Sequence, residues 1–212
     1  NYMNLGDNFI KEGLANRITP FNTTNPRVKN FDTERVYNNM MNRFRYGGLS
    51  KPGLYLDQTV MRMCYTHRHL FAELALNLIS ENQKAKALKV LQKAEKELPA
   101  YNIPLNYMSG ASEIARAYIE LGQRAKAQQY INAVWKDASQ YVNWYLSLPQ
   151  DKFSMSMNDC MTQIYVMQQC LEVYNKIGKD ALLQHEKQIQ AMMSLYQGKG
   201  GTFPQEQQPK EQ

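Results

Sequence analysis

Cysteine is scarce and placed where it builds nothing by itself. Cys64, Cys160 and Cys170 are odd in number and form no CxxC pair. Such a set excludes a zinc site and a disulfide framework. Ten residues along one helix span about 15 Å, too far for a Cys160–Cys170 bridge. The three read as small apolar core residues, and they do not settle the redox compartment. Long apolar runs are missing too. None approaches the roughly 20 residues that cross a bilayer. There is no signal peptide and no initiator Met, so Asn1 reads as the start of a piece of a longer chain.

Motifs that carry chemistry are equally thin. Gly198-Lys199-Gly200-Gly201 has no following helix, so it is no phosphate loop. Ser109-Gly110 and Ser112-Glu113 make no nucleophile elbow, which needs Gly-x-Ser-x-Gly between a strand and a helix. No HExxH occurs. His67, His69 and Glu73 are the one metal-like cluster. His69 and Glu73 lie four apart and share a helix face, but His67 falls on the apolar stripe and points away. No catalytic constellation is left, no metal or cofactor is implied, and the chain itself is not expected to be an enzyme.

Charge is uneven. The net charge is +6, and Asn1 to Leu70 holds ten Lys and Arg against five Asp and Glu. That excess would suit an anionic membrane surface or nucleic acid. No basic run exceeds two residues, so it reads as a solvated face and no nucleic-acid partner is expected.

What is present is helical periodicity. The 212 residues, 43% hydrophobic and 21% charged, are ordinary globular composition. A chain of this length buries roughly 70% of its unfolded surface. Phe71, Leu74, Ala75, Leu78 and Ile79 recur at three and four residues, one helical face. Glu81-Asn82-Gln83 breaks the pattern, and Asn tolerates the left-handed conformation past a helix end. A second run follows with Ala87, Leu88, Leu91, Ala94 and Leu98, and Pro99 ends it.

The hairpin then repeats. Sliding forty residues places Ala75 on Ala115, Ile79 on Ile119, Asn82 on Gly122, Gln83 on Gln123, Ala87 on Ala127 and Leu91 on Ile131. Self-similarity at such a period marks stacked helical repeats. The large-then-small pattern resembles the tetratricopeptide repeat. The spacing is longer than the usual thirty-four, because Ala100 to Tyr107 is an insertion. A third unit around Tyr174 and Gly178 is degenerate, with Lys187 at an apolar position. The expected fold class is all-α: antiparallel helix hairpins stacked as a tetratricopeptide-like right-handed superhelix, with an irregular N-terminal segment. The resemblance implies a concave face built from the first helix of each pair. Its positions fall on His69, Leu76 and Ser80, then Ser112, Arg116 and Glu120, then Gln168, Glu172 and Lys176. This mixed polar surface suits a peptide, a partner domain or a glycan.

Along the chain, residues 1–56 read as an irregular segment packed on the repeats. Leu5, Phe9, Ile10, Leu14 and Ile18 predict a short helix followed by an extended piece. Pro20 to Asn30 reads as a loop. Asp32 predicts an N-cap for a helix carrying Val36, Met40, Met41 and Phe44. Asp57 caps a long helix, about 58–80, with Val60, Met63, Cys64, His67, Phe71 and Leu74 in one stripe. Residues 57–197 read as the repeat domain, with further helices at about 83–98, 107–121, 123–147, 155–177 and 180–197. Residues 198–212 read as a disordered tail.

Several phrases before the repeats carry a second resemblance. They are Glu12-Gly13-Leu14-Ala15-Asn16-Arg17 with Pro20, the run from Phe31 to Phe44, and Tyr55-Leu56-Asp57-Gln58-Thr59-Val60 with Arg62-Met63. With Arg68 and Phe71 to Ala75, they resemble the C-terminal soluble region of a family of multi-pass membrane proteins from Bacteroidetes. That family carries a domain of unknown function and is related to protein O-mannosyltransferases. The resemblance covers about residues 1–135. It implies the periplasmic side of an inner membrane, and a partner that is a protein, a peptide or the membrane portion of the same chain. The family's presumed catalytic acids lie in its membrane part, so no catalytic residue carries over.

Leu74 is the centre of the first repeat face. Leu74→Ala is expected to lower unfolding free energy by about 2–5 kcal/mol. Denaturant unfolding measures this, and a cost under about 0.5 kcal/mol, the level of a surface change, means the hairpin is not packed as read.

Overall fold

A computed structural model of the chain describes residues 6–23 and 30–203. The positions Leu5, Thr24, Asn25 and Pro26 and the tail from residue 204 lie outside the described residues. The chain divides into two compact units, Asn1–Ala127 and Gln128–Gln212. The division falls inside the span read above as one repeat domain.

The described residues are mainly helical, in packed helix pairs. In the first unit α2 (Gln58–Ser80) and α3 (Lys84–Glu97) form one pair, and α4 (Ala111–Glu120) packs on α2. A connection as short as 81–83 makes α2 and α3 antiparallel neighbours. Phe71, Leu74, Ala75, Ala87 and Leu91 are fully buried. The two alanines let the helix backbones approach. Asp57 caps α2 through its side chain, which accepts from the N–H groups of Thr59 and Val60. α5 (Arg124–Ser147) starts in this unit and continues into the second.

The turn after α2 recurs after α4, bond for bond. Asn82 N–H donates to Ile79 O at 2.9 Å and Gln83 N–H to Leu78 O at 2.7 Å. Forty residues on, Gly122 N–H donates to Ile119 O at 2.9 Å and Gln123 N–H to Tyr118 O at 2.8 Å. Both pivots are left-handed, Asn82 at φ 60° and Gly122 at φ 74°. These paired bonds satisfy carbonyls that a helix end leaves open.

The insertion between α3 and α4 is held by a buried cation. Arg68 on α2 is 1% exposed. Its guanidinium donates to Leu98 O at 3.0 Å, Ile103 O at 2.6 Å and Pro104 O at 3.0 Å. Burying such a charge costs several kcal/mol unless its donors are used. The insertion in turn grips the loop before α2, where the Asn102 amide donates to Leu49 O and Lys51 O. α4 begins at Ala111, later than the sequence pattern predicts. Ser109 is tied to Asn106, and Gly110 is left-handed at φ 75°. A Cβ there would stand 3.0 Å from the His69 backbone nitrogen, so only glycine fits.

The N-terminal segment is irregular as expected, a single 3-10 turn at Gly6–Asn8 leading into extended chain. Residues 6–18 hold no α-helix. β1 (Phe9–Lys11) pairs antiparallel with β2 (Asn16–Ile18) across a turn at Gly13, φ 139°. The apolar positions of this segment are not buried together. Ile10 is buried, while Leu14 and Ile18 are exposed. α1 (Thr33–Asn38) follows with Asp32 as its cap, and a π turn at Asn39–Arg43 extends it. The segment is fastened to α2 and α3 by Lys11 with Glu73, by Thr33 Oγ1 to Glu81 at 2.8 Å, and by Lys93 Nζ to Met41 O at 2.7 Å. The Tyr46 ring stacks on Phe71 at 5.6 Å.

In the second unit α6 (Gln150–Ile177) and α7 (Lys179–Gly198) form the pair. α6 begins earlier than predicted, directly after Pro149, where a missing N–H does no harm. Gly178 alone joins the two helices, in an extended conformation, so this turn is not a copy of the other two. Lys187 is exposed, as the degenerate repeat pattern implies. The expected disorder does not begin at residue 198. Gly201 N–H donates to Tyr196 O, and the Phe203 ring rests on Tyr196 and Tyr165.

Asn82 strains a position that its counterpart fills with glycine. Asn82→Gly is expected to raise stability by about 0.5–1 kcal/mol, read as an upward shift in the unfolding midpoint.

Candidate binding face

The nine positions expected to face inward divide between the units. Six lie in the first, on α2 and α4, which pack together. Leu76 and Ser112 are half-buried, and Ser80, Arg116 and Glu120 are exposed. Leu76 corresponds to Arg116 and Ser80 to Glu120 at the forty-residue offset, so matched turns present them. Ser80 Oγ bonds its own helix at Asn77 O. Arg116 and Glu120 both hold further interactions. The strip is therefore polar, with one apolar member in Leu76.

His69 departs from this picture. Its side chain is exposed, but Nε2 lies 2.9 Å from Met108 O in the insertion. A carbonyl only accepts, so Nε2 carries the proton there. His69 braces the entry to α4 rather than standing open. Glu73 is paired with Lys11. His67 is wedged edge-on between Phe44, at 6.4 Å, and Tyr46, at 5.8 Å. The metal-like cluster thus falls into three separate roles. Among the described residues no group of three His, Cys, Asp or Glu side chains stands together as a metal site.

Three positions lie in the second unit, on α6. Glu172 and Lys176 are exposed and engaged in interactions. Gln168 is half-buried, and its amide reaches the Met193 sulfur on α7 at 3.8 Å. It reaches toward its own hairpin partner. A hydrogen-bonding amide at that position fills the α6–α7 seam.

Two clefts were not legible in the sequence. One, of about 410 Å³ in the first unit, has Phe31, Tyr37 and Leu78 in its wall and Arg17, Glu34 and Lys86 at its rim. Lys86 Nζ lies 5.3 Å over the Tyr37 ring. The other, of about 380 Å³ in the second unit, is walled by Trp135, Tyr174 and His185 with Asn132, Asp180 and Gln184. Trp135 meets Tyr174 edge-on at 5.7 Å and His185 at 4.6 Å, and Tyr174 stacks on His185 at 3.7 Å. Each polar tip is used. The Tyr174 hydroxyl donates to Asn132 Oδ1, the Trp135 indole to Gln188, and His185 Nδ1 to Ala181 O. Burial raises the Tyr174 phenol far above its usual range, so it stays a neutral donor. One residue from each of α5, α6 and α7 meets here, at separations no local pattern connects.

The thiols supply no nucleophile. All three cysteines are free and buried. Burial pushes Cys64 up and Cys160 up to about 11, away from the thiolate form. No protein-family model matches the sequence, no curated protein matches it, and no solved structure matches the fold.

His67 gives a measurable pH dependence. Its Nδ1 has no hydrogen-bond partner, and burial lowers its pKa below 6.5. The unfolded chain then binds the proton more readily than the folded one. Stability is full above pH 6.5 and falls as pH drops below it, by at most about 1.4 kcal/mol per pH unit. Melting between neutral and mildly acid pH reads this slope, and His67→Phe is expected to flatten it.

Proposed function

We propose that this chain is a non-catalytic helical-repeat binding module of tetratricopeptide-like build. The observation that carries it is the turn recurring bond for bond at Asn82 and Gly122. Two equal turns bring equivalent faces of α2 and α4 into register. Repeat architectures use such registered faces to hold an extended partner. Leu76 offers an apolar contact, and Ser80, Ser112, Arg116 and Glu120 offer polar ones. The partner is a protein or peptide segment. A glycan or the membrane portion of the same chain is the alternative occupant of the same strip.

The residues from Glu12 to Ala75 that resemble the Bacteroidetes membrane proteins support a second part of the reading. The chain would be the periplasmic tail of a membrane glycosyltransferase-like protein. Among the described residues no helix is long and apolar enough to cross a membrane, so any anchor belongs to other parts of such a protein.

Two measurements test this. A photo-crosslinking residue at Ser80, on the registered face, is expected to capture a discrete partner in native cells. The same residue at exposed Lys89, on α3, is expected to capture none. Equal labelling from both positions removes the binding face. An immunoblot of fractionated cells is expected to find the region in the membrane fraction, on a band far heavier than the chain itself. A soluble band of the chain's own mass removes the membrane enzyme and leaves a free repeat adaptor.

A further inference from the structure

The apolar stripe of α2 runs further than anything that covers it. From Cys64 onward it is covered, Cys64, Phe71 and Leu74 being buried and His67 half-buried under Phe44 and Tyr46. One turn earlier it is bare. Met63 is 59% exposed, Val60 40% and Tyr55, in the loop leading into the helix, 91%. Tyr101 in the insertion is 64% exposed, and its hydroxyl donates to Ser50 O of the same loop. Two hydrogen bonds from Asn102 to Leu49 O and Lys51 O hold the insertion and this loop together. The apolar tips therefore sit on a braced corner rather than on a loose loop.

Cations flank the corner. Lys51 precedes it, Arg62 lies within it, and Arg45 stands between the two residues that pack on His67, all three exposed. From Arg45 to Met63 the one acidic residue is Asp57. Its carboxylate is occupied by the N–H groups of Thr59 at 2.8 Å and Val60 at 2.9 Å. The segment thus carries tyrosine, methionine and valine tips together with three exposed cations, while the Glu97 carboxylate of α3 acts on Tyr46.

We propose that this corner docks on the surface of an anionic phospholipid bilayer. Tyrosine places an apolar ring and a polar tip at the headgroup boundary. Exposed apolar side chains enter the acyl edge, and the cations meet the negative headgroups. Separated exposed tips suit a soft interface, whereas a folded protein partner requires a matched concavity. The surface is distinct from the repeat face on α2 and α4 and does not rest on its role.

The test is co-sedimentation of the chain with phosphatidylcholine vesicles, with and without added phosphatidylglycerol. The chain is expected to sediment with the anionic vesicles, to stay in solution with the neutral ones, and to be released by raised salt. Tyr55→Ser with Met63→Ser is expected to lower the bound fraction about tenfold, with melting unchanged because both side chains are exposed. Lys51→Glu with Arg62→Glu is expected to abolish binding, and it decides the matter if the first pair alters melting. Failure to sediment with anionic vesicles, or binding that survives both double variants, overturns the proposal.

Discussion

The geometry of the first unit depends on where one buried guanidinium finds its acceptors. Arg68 cannot stay in the core of α2 unless its donors are used, and it uses carbonyls at Leu98, Ile103 and Pro104. Leu98 is the C-cap of α3, the negative end of a helix, where a cation is favoured. The same charge thus ties α2 to the end of α3 and draws the insertion down across both. The insertion then fixes the loop before α2 through Asn102, and the start of α4 through Ser109 and Gly110. The extra length of the repeat, relative to a plain helix hairpin, is spent on supplying these carbonyls.

The N-terminal segment is attached by different means. Its contacts with α2 and α3 are one partly exposed ion pair and single hydrogen bonds around one stacked pair, Tyr46 on Phe71. Exposed pairs contribute little individually. The packed aromatics and the buried Val36 and Met40 supply most of the hold. His67, half-buried at that seam, is a group whose charge would disturb it as pH falls below 6.5.

The hairpins were legible because their signals are local. Periods of three and four, a break at Asn82 or Gly122, and the forty-residue match are all read within one window. The pairing of the N-terminal strands was not, because three-residue strands on either side of Gly13 are too short to show a period of their own. The uncovered start of α2 was hidden for the opposite reason. Its apolar stripe is continuous in sequence, and only the packing partners show where cover begins. Arg68 gave no signal, since its acceptors lie thirty and more residues downstream. The cluster of Trp135, Tyr174 and His185 likewise joins three helices. Gln168 was placed by analogy with repeats whose third copy this chain does not keep, as Gly178 and Lys187 already hinted.

Gly178 serves two helices at once. Its N–H ends α6 at Tyr174 O, and its carbonyl receives the first bond of α7 from Leu182. Ordinary surface loops accept extra residues because loop closure costs grow slowly with length. This junction has no residue to spare, since adding one would separate the two duties and turn α7 against α6. Natural variation in chain length among relatives of this protein should therefore spare the junction at Gly178.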